Sequence, residues 1–198
     1  MLTPNDVAAS LDAPGKGLPK TELWIARIIV GWRARRASRE ESVSLFARER
    51  QEIVRLARIE SDEEGSRRVL IKRLRGMEDS SRFWSVFMTL DHLRIVNEGT
   101  AGLIGQLARG ETPARVVGTA DVKPSPSADI SVIEQFEHSC EHFEKTVAAI
   151  ADLRTNLRWP HPWFGPLDAA KWHFFTAFHM GLHRTQIEAI RATRKGAS

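Results

Sequence analysis

From Pro19 the chain reads as helical and rich in apolar residues, and from Val43 to Ile59 these follow the spacing of a helix with a buried side. In TELWIARIIVGWRARRASRE they are Leu23, Trp24, Ala26, Ile28, Val30 and Trp32; in SVSLFARERQEIVRLARIE they are Val43, Phe46, Ile53, Leu56 and Ile59. Gly31 and Ser38 weaken the pattern, so one long bent helix and two consecutive helices both fit. Asp62-Glu63-Glu64-Gly65 ends it, and VLIKRLRG reads as a short helix or an extended lead-in. The next helix is expected to start at Asp79-Ser80-Ser81, whose side chains suit a cap, and to run through RFWSVFMTLDHLRIVNEGTAGLIGQLA. ARGETPARVVGTADVKPSPSA, dense in Gly, Pro, Ser and Thr, reads as a long exposed connection that shapes a pocket mouth.

A further helix, DISVIEQFEHSCEHFEKTVAAIADL, has the core row Ile133, Phe136, Cys140, Phe143, Val147 and Ile150, alternating three and four apart. The loop LRWPHPWFGPL leads into the last helix, with Pro166 at its start and Asp168 in its first turn. Trp159, Trp163 and Phe164 are too apolar for a free loop and are expected to cap one end of a bundle. Residues 1–18, with Pro4, Pro14, Gly15 and Gly17, read as a mobile arm, and residues 19–198 as a single domain. No alternating strand pattern is present. The chain is therefore expected to be all-α, a four-helix bundle with an extended N-terminal helix.

Composition narrows the chemistry. A lone Cys140 excludes an intramolecular disulfide framework and a cysteine zinc cage, so a bound metal would need histidines and carboxylates. No run reaches the length of a spanning helix, and MLTPNDVAASLDAPG lacks the basic start and apolar centre of a signal peptide. The expectation is a cytoplasmic protein without a membrane partner. The net charge of +4 divides into +5 for residues 1–75 (16 basic against 11 acidic) and −1 for the rest (13 against 14). Because acids are interleaved with the bases, as in Arg48-Glu49-Arg50, the excess reads as a solvated helix face, and no nucleic-acid partner is expected.

The candidate chemistry lies in WHFFTAFHMGLHRTQIEAI. With His179 at zero on a helical wheel, His183 falls near 40°, Trp172 and Ile190 near 20° and Gln186 near 340°, while Arg184, Glu188 and Arg191 fall on the far side. Two imidazoles four apart on a buried face either share a metal or are core histidines satisfied by hydrogen bonds. A third ligand must come from another element. His92 is also on an apolar stripe, with Val96, Leu103 and Leu107. His138 and His142 repeat the spacing but point roughly 120° to 160° away from their helix's core row, which reads as surface. His161 reads as an aromatic-loop histidine without a metal role. Gln186, Asp91 and Glu98 are the candidates for hydrogen-bonding the outer nitrogens of the histidines, with Gln186 preferred because it sits mid-face.

Trp84 and His92-Leu93 in FWSVFMTLDHLRIVNEG, the loop HPWFGPL, and FHMGLHRTQIEAI with His179, His183, Arg184 and Gln186-Ile187 together resemble the DinB-like superfamily. The loop is similar to that of one uncharacterised branch with an HP-x-F-G-x-L pattern. The resemblance covers roughly residues 40–192, and the segment from Pro19 to Ser38 looks like an addition to the first helix. It implies a right-handed up-down-down-up four-helix bundle with His92, His179 and His183 as ligands of a divalent metal. Zinc leads, with nickel, iron or manganese as alternatives. It also implies a metal-dependent transferase or hydrolase that activates a low-molecular-weight thiol or water against a small-molecule substrate. The other reading is a non-catalytic, metal-stabilised bundle acting as a dimeric binding protein. Apolar residues at 23–32, including Trp24 and Trp32, exceed what one bundle face needs, so a homodimer through that helix is expected.

Overall fold

The computed structural model describes residues 4–196; residues 1–3 of the expected arm and 197–198 of the expected domain lie outside them. Helices α1 (Pro4–Ala9), α2 (Lys20–Arg36), α3 (Arg39–Arg58) and α4 (Asp62–Ser66) come first. Strands β1 (Val69–Leu70) and β2 (Phe83–Trp84) lead into α5 (Val86–Ala108) and α6 (Val132–Ala149). Strands β3 (Trp159–His161) and β4 (Gly165–Leu167) precede α7 (Ala169–Lys195). Each strand pair is a short antiparallel hairpin, β1 with β2 and β3 with β4.

The break between α2 and α3 settles the choice between one helix and two. Ser38 is extended and closes a capping box: its hydroxyl accepts from the Glu41 amide, and the Glu41 carboxylate accepts from the Ser38 amide. The segment from Pro19 to Ser38 is thus a separate helix rather than a continuation of α3.

Helices α3, α5, α6 and α7 form the bundle, and their contacts fix its directions. Glu49 of α3 pairs with Arg184 of α7 and Glu60, just past α3, with Arg194, so the two run parallel. Arg39 of α3 donates to the carbonyls of Val147 and Ile150, whereas Arg58 meets Glu137, so α6 runs opposite to α3. On α5, Asn97 approaches Cys140 while the Gly105 end faces Thr146, which makes α5 and α6 parallel. His92 meeting His183 and Asn97 meeting Met180 make α5 and α7 antiparallel. In chain order the bundle helices run up, down, down, up, as expected.

The core sits between these four helices. Phe46 and Phe143 stack at 4.6 Å, and Phe87, Leu90, Phe136, Ile187 and their neighbours are sealed from solvent. The row Ile133, Phe136, Cys140, Phe143 and Val147 is buried as the spacing requires, and Ile150 is partly so. Gly65 of α4 is dictated by packing: a Cβ there would lie 2.2 Å from the Phe87 ring.

Two helix starts differ from the sequence reading. Asp79–Ser81 forms a single 3-10 turn, and α5 begins only at Val86, capped by Ser85, whose hydroxyl accepts from the Met88 amide. The aromatic pair Phe83-Trp84 between them is taken up by pairing with β1. Pro166 lies in β4 rather than at the start of α7, where Asp168 is the cap and accepts from the Lys171 amide. Within the N-terminal stretch, the amides of Asp12, Gly15 and Gly17 donate to the carboxylates of Asp79 and Glu78.

Candidate metal centre

His92 lies two turns into α5, and His179 and His183 lie one turn apart in the middle of α7. The antiparallel packing of these helices brings the three rings together. The Nε2 atoms of His92 and His179 are 3.3 Å apart and those of His179 and His183 3.0 Å, and one ligand atom from each histidine lies within 4.8 Å of the others. A zinc ion with nitrogens at ~2.0–2.1 Å in tetrahedral geometry would separate them by about 3.3 Å. Trp84 of β2 closes one side, stacked nearly parallel to His183 and tilted against His92.

The outer hydrogen bonds decide where the ring protons sit. His92 Nδ1 is 2.7 Å from the carbonyl of Val122, which can only accept, so His92 carries its proton on Nδ1. Gln186 donates from Nε2 to the Ser81 carbonyl, which fixes its Oε1 toward His183 Nδ1 at 2.7 Å. His183 therefore also donates from Nδ1. Both rings, when neutral, present Nε2 lone pairs to the same point. A proton on His179 Nε2 can satisfy only one of them, whereas a cation satisfies all three nitrogens. The buried Nδ1 of His179 has no hydrogen-bond partner.

Burial keeps these rings neutral. Desolvation pushes His92 down to about 4 against the favourable Val122 carbonyl and Asp91 charge, and it drives His179 and His183 well below 6.5, helped by the neighbouring imidazoles. Neutral imidazole is the ligating form, so the donor set fits a divalent cation.

The trio lies in the wall of a cavity of about 530 Å³, lined mainly by apolar and aromatic side chains from α2, α5, α7 and the β3–β4 hairpin. His161 lines the same cavity. Its Nδ1 accepts from the Trp163 amide at 3.0 Å, which leaves the proton of the neutral ring on Nε2, and burial among Phe164, Trp172 and Phe175 lowers it to about 3. It is not one of the three clustered nitrogens. Trp163 and Phe164 line this cavity too, so the aromatic loop shapes a pocket as well as covering a bundle end.

Other expected residues separate cleanly. The hydrogen bonds of the three rings go to Val122, Gln186 and one another rather than to Asp91 or Glu98. Asp91 is buried and is held by Arg94 and the Ser125 amide, while Glu98 pairs with Arg94. His138 and His142 are exposed on α6. Cys140 is buried, and desolvation raises its thiol to about 12. Two participants had no signal in the chain: the carbonyls of Val122 and Ser81 are backbone groups in irregular segments, and any residue type supplies them.

Residues 45–187 match the family described as the DinB superfamily. No curated protein matches the chain. Among solved structures, it is similar to TT2238, a four-helix bundle protein, with a TM-score of 0.55 at 20% identity, over 77% of this chain and 98% of that one. At that identity the likeness concerns the fold.

Proposed function

The chain belongs to the DinB superfamily, and we propose that it is a metal-dependent enzyme that transfers or hydrolyses a group on a small molecule bound in the cavity. The observation that carries this reading is the convergence of three imidazole Nε2 atoms, two of them with the lone pair fixed inward, at the wall of an apolar cavity. His92, His179 and His183 would hold the ion. Zinc suits the set best, and nickel, iron or manganese accept the same imidazoles. Three neutral donors leave the charge of the ion undiminished and coordination positions open, so it would supply Lewis acidity that lowers the pKa of a water or of a low-molecular-weight thiol.

The remaining side chains bind, orient and exclude. Val122 and Gln186 hold two ligand rings in register through their Nδ1–H groups. Aromatic walls around Trp84, Trp163 and Phe175 keep bulk water from the reacting groups and suit an apolar substrate body. The Nε2–H of His161 is a neutral donor for a carbonyl or leaving-group oxygen in the same cavity. Arg75 is an exposed cation on the lining, placed for a substrate carboxylate. Cys140 is too deeply buried and too basic to act as the thiol.

The test compares untagged wild-type protein with His183→Ala, screening thiols with small electrophiles after metal loading. The variant is expected to keep its helical circular dichroism while losing bound metal and every metal-dependent turnover. Metal retained at wild-type occupancy, or turnover unchanged, would overturn the assignment.

A further inference from the structure

Helix α2 is apolar on two opposite sides. Its inner side, Leu23, Ala26, Val30 and Ala34, faces the protein, and Ala26 and Val30 help to wall the cavity. On the other side Trp24, Ile25, Ile28, Ile29 and Trp32 span an arc of roughly 140°, each between 49% and 65% exposed. A helix apolar all round is normally buried on both sides. The bundle covers only one of them, and α2 precedes residues 45–187, the stretch that matches the family.

Charge identifies the second cover. Lys20, Arg27, Arg33, Arg35 and Arg36 stand against a single acid, Glu22, giving the helix +4. All five bases are exposed; Arg27 donates to the Trp163 carbonyl and Arg33 lies over the Phe174 and Phe178 rings, which leaves Arg35 and Arg36 on the outward arc itself. Glu22 is already committed to the Arg73 guanidinium and the Gly76 amide. Arg35 and Arg36 continue the outward arc beyond Trp32, and the Arg36 guanidinium lies 4.4 Å over the Trp32 ring. A second copy of α2 laid on this stripe would add another +4 with no uncommitted acid on either helix to meet it. A surface that is both apolar and anionic complements the stripe and its flanks together.

We propose that α2 docks the protein on an anionic lipid bilayer, lying in the interface with the Trp24–Trp32 stripe in the headgroup and acyl boundary. Among the described residues no helix is long and apolar enough to cross a membrane, so the attachment is peripheral. The two tryptophans, about 12 Å apart along the axis, bracket the stripe with rings suited to the interface, and Arg35 and Arg36 meet the lipid phosphates. This docking is independent of the histidine centre.

The test is flotation of the full chain with vesicles of phosphatidylcholine alone or mixed with phosphatidylglycerol, alongside its mass by light scattering. Wild type is expected to float with the mixed vesicles, less so in high salt, and poorly with phosphatidylcholine alone. Ile28→Asp with Ile29→Asp, at exposed positions that leave the helix content unchanged, should abolish flotation. Arg35→Glu with Arg36→Glu should weaken it about tenfold or more. Absence of flotation, or flotation unaltered by the Ile28→Asp/Ile29→Asp pair, would overturn the proposal. A wild-type dimer that becomes a monomer in that variant, without vesicle binding, would assign the face to a second copy instead.

Discussion

Helices α6 and α7 each carry two histidines four residues apart, and the two pairs have opposite fates. On α6, His138 and His142 stand in solvent because the buried side of that helix is already filled by Phe136, Cys140, Phe143 and Val147. On α7 the pair takes the place of apolar residues on the inward face, between Trp172 and Ile190, and meets His92 from α5. The i,i+4 geometry is common to both. The surroundings differ: a third imidazole, acceptors behind two of the rings and a cavity lined mainly by apolar side chains in front. Spacing makes two nitrogens neighbours, and the rest of the fold turns them into a site.

The sharpest way to break this comparison is to remove each pair and weigh the metal. Untagged protein should carry about one divalent ion per chain at a three-imidazole site, measured by mass spectrometry. His92→Ala with His179→Ala should remove it, while His138→Ala with His142→Ala should leave it in place. Equal loss from both variants would erase the distinction. Metal absent from wild type even after incubation with metal salts would make the trio core histidines.

Acid should separate the pairs next. In the metal-free fold His92 is depressed to about 4, so between pH 6.5 and 4 the unfolded chain binds a proton that the folded one does not. Stability is therefore present above pH 6.5 and is lost as the pH falls, by roughly 3 kcal/mol from this ring alone. His179 and His183 push in the same direction. Thermal unfolding of metal-free protein should thus steepen its fall across this window, and His92→Leu should flatten the profile. Identical slopes would mean that the ring is less desolvated than its surroundings imply.

How much of this was legible in the chain follows from what each feature depends on. The inward face of α7 and the core row of α6 are properties of one helix and its period, so the wheel places His179, His183, His138 and His142 correctly. The resemblance places His92 with them. The late start of α5 was not legible, because Asp79, Ser80 and Ser81 are as good a cap by type as Ser85; what decides is that Phe83 and Trp84 are needed in the hairpin. That detour also delivers the Ser81 carbonyl to Gln186. The break before α3 was ambiguous because Gly31 and Ser38 only weaken a helix by type; what decides is the capping box that Ser38 closes with Glu41. The Val122 carbonyl, 30 residues from His92, belongs to the geometry of a connection that no local pattern encodes.

A milder cut tests the support behind the rings. Gln186→Leu keeps the volume but leaves His183 Nδ1 and the Ser81 carbonyl without their partner. The ring loses its fixed tautomer, and metal affinity should fall about 10- to 100-fold with the helix content intact, read by competition with a chromogenic chelator. A change of less than threefold would show that the Trp84 stack alone holds the ring.

The smallest effect belongs to the surface pair. In excess nickel, His138 and His142 offer two imidazoles in free exchange with water, and among the described residues they belong to no cluster of three metal-ligating side chains. Calorimetric titration of wild type should show a weak second event after the first, and His138→Ala with His142→Ala should remove the weak event alone, with no shift in the unfolding temperature of the once-loaded protein. The contrast lies in the coupling of binding to folding. An ion held by α5 and α7 together ties two helices and raises the unfolding temperature, whereas one held by a single solvated turn of α6 adds nothing that the turn did not already have. A stabilising second event lost with the surface histidines would mean that spacing by itself suffices, and the distinction between the two helices would fail.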